Sequence, residues 1–235
     1  MMNEARWPNT PVDDLVHMNR ATCDSGTNTS TLVDNALPAG DWNGAYVHIT
    51  PGSEWNSLVA QIKDYKGSNQ FDFVFINGRT WVNDSLNPQS GNPYWLFGSL
   101  AGIDVATEWF LDSNADHIYI WCPGNPDPSA HTIEVKNRVH AFDLSNVSHI
   151  QIEGLCIFAA GIAMNGAEYC VVDDCHVKYP EDTRFVWSWS GGAVNANYWG
   201  GHHNEWKNSS IASLGALGGL CGERAWIPAF AGMIV

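Results

Sequence analysis

An internal repeat between residues 140 and 211 constrains this chain more than any other feature. HIQIEGLCI (149–157) lies over YCVVDDCHV (169–177) and HNEWKNSSI (203–211). Ile150, Ile152, Leu155 and Ile157 fall on Cys170, Val172, Cys175 and Val177, an offset of 20 each time. Val172, Cys175 and Val177 fall in turn on Trp206, Ser209 and Ile211, an offset of 34. Upstream, Phe142 and Leu144 fall on Ile162 and Met164, again at 20, and those two on Val194 and Ala196, at 32. Each unit reads strand, short link, strand, two-residue turn, strand. A period near 20 with three short strands predicts a right-handed parallel β-helix, whose passes stack about 4.8 Å apart so that like positions form columns. The turn carries Glu153-Gly154, Asp173-Asp174 and Lys207-Asn208. Its second position holds Gly, Asp and Asn, the residue types that best tolerate a left-handed backbone.

The rest of the chain is read the same way, as mostly β. Tyr46-Val47-His48-Ile49, the stretch from Phe71 to Ile76, and Ile118-Tyr119-Ile120-Trp121 alternate as strands do. Asn77-Gly78 signals a turn, and residues 83–93 a polar loop. The best helical candidate runs from Glu54 to Lys66, with Trp55, Leu58, Val59 and Ile62 at helical spacing.

Composition removes several classes of function. The 235 residues are 45% hydrophobic and 15% charged, enough to bury a core and unlike a disordered tail or a coiled coil. A net charge of -14 with no basic cluster speaks against nucleic acid as a partner. No run of about 18 apolar residues spans a membrane. The opening MMNEARWPNT has no apolar stretch of the signal-peptide kind. The 12 Trp, the 22 Gly and the abundant Asn fit a surface that stacks on sugar rings and hydrogen-bonds hydroxyls, or tryptophans that fill a β core. The six cysteines, Cys23, Cys122, Cys156, Cys170, Cys175 and Cys221, include no C-x2-C pair, so no metal ligand is assigned. Buried free thiols are the plainer reading, with a disulfide left open.

Asp173-Asp174 is the most conspicuous acidic pair, but it occupies the turn column, where Asp serves the backbone. The better region is the link after the second repeat, which swells to KYPEDTRFVWSWSGG (178–192). Loops of that length in a repeat array are usually functional. It carries Glu181, Asp182, Arg184, Trp187 and Trp189, which supply an acid, a base and stacking platforms for glycosidic chemistry. Beside it, the outward column of the first strand holds Asp143, Ala163 and Asn195, followed by Ser145, Asn165 and Asn197, with Arg138 and His140 just before. A carboxylate beside cations stays ionised, which suits a base. Asp143, Glu181 and Asp182 are therefore the candidate catalytic residues. Arg138, His140, Arg184, Trp187, Trp189 and Asn195 are the candidate substrate-binding residues. His202-His203, in a glycine-rich stretch, lines the same cleft or is simply solvated.

Three stretches carry a family resemblance. EARWPN (4–9), LFGSLAGIDVATEWFLD (96–112) and HAFDLSNVSHIQIEGLCIFAA (140–160) resemble bacterial right-handed parallel β-helix proteins of the pectate-lyase-like superfamily, which are polysaccharide lyases and glycoside hydrolases. The resemblance covers roughly residues 3 to 215 and is specific for a fold rather than a substrate. It implies a secreted or periplasmic parent protein that acts on or binds polysaccharide in a cleft along the first strand of the passes. No catalytic motif transfers residue by residue. In relatives the EARWPN stretch follows earlier strands, whereas here it begins at residue 4, and GERAWIPAFAGM (222–233) resembles a translated intergenic repeat element. The division expected is therefore a poorly packed remnant over 1–39, an inserted β-rich subdomain over 40–108, an all-β right-handed parallel β-helix over 109–220, and an unrelated tail over 221–235. Uncapped ends should associate.

The expected function is a glycoside hydrolase, ahead of a polysaccharide lyase because few basic residues could neutralise a uronate. A hydrolase needs two carboxyls about 5–5.5 Å apart for retention or about 6.5–9.5 Å for inversion. The alternatives are a non-catalytic glycan-binding β-helix and an inactive truncated product. No cofactor is implied, and calcium has no supporting motif.

Overall fold

Short alternating runs of β-branched and aromatic residues, broken by Gly, Asn, Asp and Pro, make strands and almost nothing else here. The computed structural model describes residues 2–11, 18–52, 54, 58–76, 87–124, 127, 129, 132–136, 138–178, 180, 194–196, 201–212 and 225–227. These are almost wholly β, with a 3-10 turn at Leu100–Gly102. The chain divides into two units, residues 1–12 with 17–131, and residues 13–16 with 132–235.

The first unit contains β1 (Asn3–Glu4), β2 (Arg6–Trp7), β3 (Ala21–Thr22), β4 (Thr31–Val33), β5 (Tyr46–Ile49), β6 (Leu58–Tyr65), β7 (Gln70–Phe75), β8 (Pro93–Phe97), β9 (Glu108–Asp112) and β10 (His117–Ile120). An antiparallel sheet runs β2-β8-β5-β6-β7-β4, with β3 also on β8. Its inner face buries Leu32, Trp42, Val47, Ile49, Ile62, Phe71 and Leu96. A smaller sheet, β1-β9-β10, stands apart from it. The strands expected at 46–49, 71–76 and 118–121 are β5, β7 and β10. Asn77-Gly78 lies outside the described residues.

The helix expected over Glu54 to Lys66 is instead the long strand β6. The pattern misleads because the apolar residues at helical spacing do not form one buried face. Leu58 and Val59 are both half-buried, while Ala60 and Ile62 meet the core in strand alternation. A bulge between Ile62 and Asp64 then breaks the alternation, and Tyr65 is the next buried residue.

The N-terminal segment is also not the loose remnant expected. Arg6 and Trp7 pair with Phe97 and Leu96, and Asn3 and Glu4 pair with Glu108 and Trp109. The EARWPN stretch and the 96–112 stretch thus form one packed junction. Gly102 closes it, since a Cβ there would lie 3.1 Å from the Ala5 carbonyl carbon and 3.1 Å from the Trp42 ring. Arg6 is buried, donating from Nε to the Pro8 carbonyl at 3.0 Å and from Nη2 to the Asn19 carbonyl at 2.8 Å. Its guanidinium also lies over Trp95, 5.1 Å from the ring centroid. Burial lowers the Arg6 pKa to about 10, so it stays charged at neutral pH.

The second unit contains β11 (Ile133–Val135), β12 (His140–Asp143), β13 (Gln151–Glu153), β14 (Cys156–Phe158), β15 (Gly161–Met164), β16 (Val171–Asp173), β17 (His176–Lys178), β18 (Val194–Ala196), β19 (Glu205–Lys207), β20 (Ser210–Ala212) and β21 (Ala225–Ile227). β11 pairs with β21. The other nine strands form three parallel sheets, β12-β15-β18, β13-β16-β19 and β14-β17-β20. The chain visits these sheets in the same order three times. The pairings are those of the sequence repeat: Ile152 with Val172 and Val172 with Trp206, Ile157 with Val177 and Val177 with Ile211, Phe142 with Ile162 and Ile162 with Val194. Leu144, Ile152, Ile157, Ile162, Met164, Cys170, Val172, Cys175 and Val177 make a single core cluster.

Among the described residues, the corners of the path turn at left-handed residues. Gly154, Asp174 and Asn208 have φ of 69°, 47° and 49°, as the turn column requires. Two further corners repeat the device. Asn146 and Gly166 have φ of 59° and 65°, and His149, Tyr169 and His203 have φ of 61°, 51° and 56°. Burial deepens from the first pass to the second. Ile150 and Leu155 are 41% and 40% exposed, while their column mates Cys170 and Cys175 are 0% exposed.

Candidate functional site

The column expected to carry catalysis exists as a register. Asp143 pairs with Ala163, and Ala163 with Asn195. The strand between its polar ends is covered, however: Ala163 is buried and lies outside the core cluster. Asp143 is exposed and caps its own turn, its Oδ1 accepting the Ser145 N–H at 2.9 Å. The Ser145 hydroxyl and then the Ser145 N–H hold the Asp143 carboxyl below the usual range, with His140 a lesser contributor. Asp143 is ionised, as expected, but the cause is a turn hydrogen bond more than a neighbouring cation. Arg138 is exposed at the approach to β12, and His140 opens the strand half-buried.

Asp173 behaves as its turn position dictates. Its Oδ1 accepts Asn208 Nδ2 at 2.9 Å, and its Oδ2 is 3.5 Å from Lys207 Nζ. The Asn208 hydrogen bond, ahead of the Lys207 charge, pulls its pKa down. A carboxyl held this way is not a proton donor at neutral pH.

Glu181, Asp182, Arg184, Trp187 and Trp189 lie outside the described residues. The connection that bears them leaves β17 at Lys178 and rejoins the sheets at Val194. Its departure is anchored by the buried Lys136, whose Nζ donates to the Pro180 carbonyl at 2.9 Å.

A polar cluster stands at one corner of the passes, of which only His202-His203 is singled out from the sequence. Tyr169 is sandwiched between His149, with centroids 5.2 Å apart and planes at 18°, and His203, at 4.7 Å and 13°. His202 stands edge-on to Tyr169 at 5.5 Å and 83°. Its Nε2 is 3.2 Å from Glu168 Oε1, and its Nδ1 is 2.9 Å from His203 Nδ1. Glu168 bridges Ser148 and His202 through parallel backbone pairing, which sets these side chains on successive passes. The signal was present in the repeat itself, whose first column reads His149, Tyr169, His203. It was masked by the inward apolar columns, which define the repeat more strongly.

Cys170 and Cys175 are buried and free, and both are core residues rather than ligands. Burial pushes the free Cys23 thiol up to about 12. Cys156, by contrast, is disulfide-bonded. Among the described residues no group of three or more His, Cys, Asp or Glu side chains converges on a metal position.

No protein-family model matches the chain, and a comparison with curated proteins finds no match. A solved structure described as a glycoside hydrolase is similar over 76% of this chain, at 16% identity and a TM-score of 0.36. The chain spans 29% of that protein's length. A likeness this loose carries no argument about function.

Proposed function

We propose that the second unit is a stretch of right-handed parallel β-helix, and that the chain is a carbohydrate-active protein acting on extracellular polysaccharide. One observation carries this reading. The same three sheets are reached after 20 residues and again after 32 to 34, and most of the excess length lies between β17 and β18. A connection of this length in a repeat array is ordinarily functional, and in this reading it walls a cleft at the exposed Asp143 end of the column. In this reading Asp143, ionised, serves as base or nucleophile, and Glu181 or Asp182 supplies the proton. Arg138, His140, Arg184, Trp187, Trp189 and Asn195 hold the sugar.

In this reading the protein is secreted or periplasmic. A glycoside hydrolase stays ahead of a lyase, because Lys and Arg together number 11 and a lyase must neutralise a uronate. No cofactor is required. Among the described residues β12, β13 and β14 pair on one side only, and a second copy would associate there.

A second reading, a non-catalytic glycan-binding β-helix, is favoured by the engagement of Asp143 with Ser145. The test is an assay of the purified chain against plant and bacterial polysaccharides, reading reducing ends and the absorbance of unsaturated uronates. Release of reducing ends that Asp143→Asn and Glu181→Gln each abolish is the expected result. Binding without cleavage selects the second reading. A folded chain that neither binds nor cleaves overturns both.

A further inference from the structure

Beside the Tyr169 stack two imidazoles meet nitrogen to nitrogen, His202 Nδ1 and His203 Nδ1 at 2.9 Å. On the far side of the His202 ring, Nε2 is 3.2 Å from Glu168 Oε1. A carboxylate only accepts, so this contact keeps a proton on Nε2 and leaves the lone pair of the neutral ring on Nδ1. The proton between the two Nδ1 atoms then belongs to His203. If it moves to Nε2 of the same ring, two lone pairs point into one space, with no proton lost. A metal-ligating His characteristically donates its other N–H to a carboxylate in this way.

The rings are also held in place. His203 lies flat on Tyr169, with planes 13° apart, and His202 stands perpendicular to His203. Ligand nitrogens about 2.0–2.1 Å from an ion in tetragonal geometry stand about 2.8–3.0 Å apart at a right angle, so the 2.9 Å spacing of the pair already suits it. The His202 and Glu168 side chains are 49% and 43% exposed, leaving the remaining coordination positions to water.

We propose that His202 and His203 bind one transition-metal dication through their Nδ1 atoms, with Glu168 as a positioning residue that fixes the His202 tautomer. Two imidazoles and water favour copper(II) over nickel(II) and zinc(II). The site is independent of the carbohydrate reading.

The test is titration of the full chain with copper(II), nickel(II) and zinc(II) chlorides by calorimetry, with electron paramagnetic resonance of the copper form. His202→Gln and His203→Asn remove one ligand each. Asn is chosen because φ at His203 is 56°. Wild type should bind one copper(II) with imidazole nitrogen splitting, and each variant should weaken that binding about tenfold or more. Glu168→Gln should weaken it while leaving thermal unfolding of the metal-free chain unchanged. His149→Asn should leave binding intact. The proposal is overturned if wild type takes up no copper at millimolar concentration, or if folded His202→Gln binds as wild type does. Circular dichroism confirms folding, and His202→Gln decides alone if His203→Asn does not fold.

Discussion

Tyr169 lies face to face on His203, with ring centroids 4.7 Å apart, although 34 residues of chain separate them. Both residues have left-handed backbone, with φ of 51° and 56°. A corner that Gly or Asn would fill most easily is occupied by aromatic rings, so the stack must offset the backbone cost.

That balance can be measured. Tyr169→Asn keeps a backbone tolerant of the corner and loses the ring, at about 1 kcal/mol for lost stacking. Tyr169→Val loses the ring and adds a β-branched side chain in the left-handed region, for about 2 kcal/mol or more in total. Urea denaturation midpoints should therefore rank wild type above Asn and Asn above Val. A Val variant more stable than the Asn variant would refute the account.

The turn pair Asp173 and Asn208 predicts a pH effect. The Asp173 pKa is lowered in the folded chain, chiefly by the Asn208 amide. A depressed carboxyl contributes stability above its unfolded pKa and loses it as pH falls through the folded value. Asn208→Gly keeps the left-handed turn and removes the amide. NMR titration should then find Asp173 closer to the ordinary carboxyl range, and the stability difference from wild type should vanish in acid.

The junction of the first unit makes a steric prediction. A Cβ on Gly102 would lie within 3.2 Å of Ala5, Arg6 and Trp42. Gly102→Ala should cost roughly 1–3 kcal/mol by overpacking. Arg6→Leu, which strips the donors from the Pro8 and Asn19 carbonyls, should cost about 3 kcal/mol. Thermal unfolding of the two variants checks both.

Burial along β14 and its approach predicts a contrast within three residues. Ile157 is 6% exposed and Leu155 is 40% exposed. Ile157→Ala should cost about 2–4 kcal/mol, and Leu155→Ala clearly less, because its side chain already meets water. Equal losses in chemical denaturation would show that the first pass is covered in solution.

The parts of this fold legible in the sequence are those where like positions carry like side chains. Ile152, Val172 and Trp206 can be paired from the order of residues alone, as can Gly154, Asp174 and Asn208, because a parallel stack turns register into vertical repetition. β6 is illegible because Leu58, Val59 and Ile62 fall at helical spacing, while Ala60, which shares the core face with Ile62, is too small to mark the alternation, and a bulge then breaks it. The His149, Tyr169 and His203 column is written in the same repeat but is polar, and polarity at a bend ordinarily signals solvent. Asp143 illustrates a third limit: its charge is foreseeable from its neighbours in the chain, whereas its commitment to Ser145 depends on a turn that those neighbours do not show.

The register that resumes at Val194 has a consequence for inheritance. A strand that rejoins its column after any length of detour makes the detour a separable graft. Insertions, deletions and whole exchanges between β17 and β18 leave the pairing on either side untouched. On the proposed reading, specificity can therefore drift at this seam while the scaffold is conserved by its own geometry, and a loop transplanted from another protein would need to match the strand ends Lys178 and Val194 and the Pro180 carbonyl that Lys136 holds.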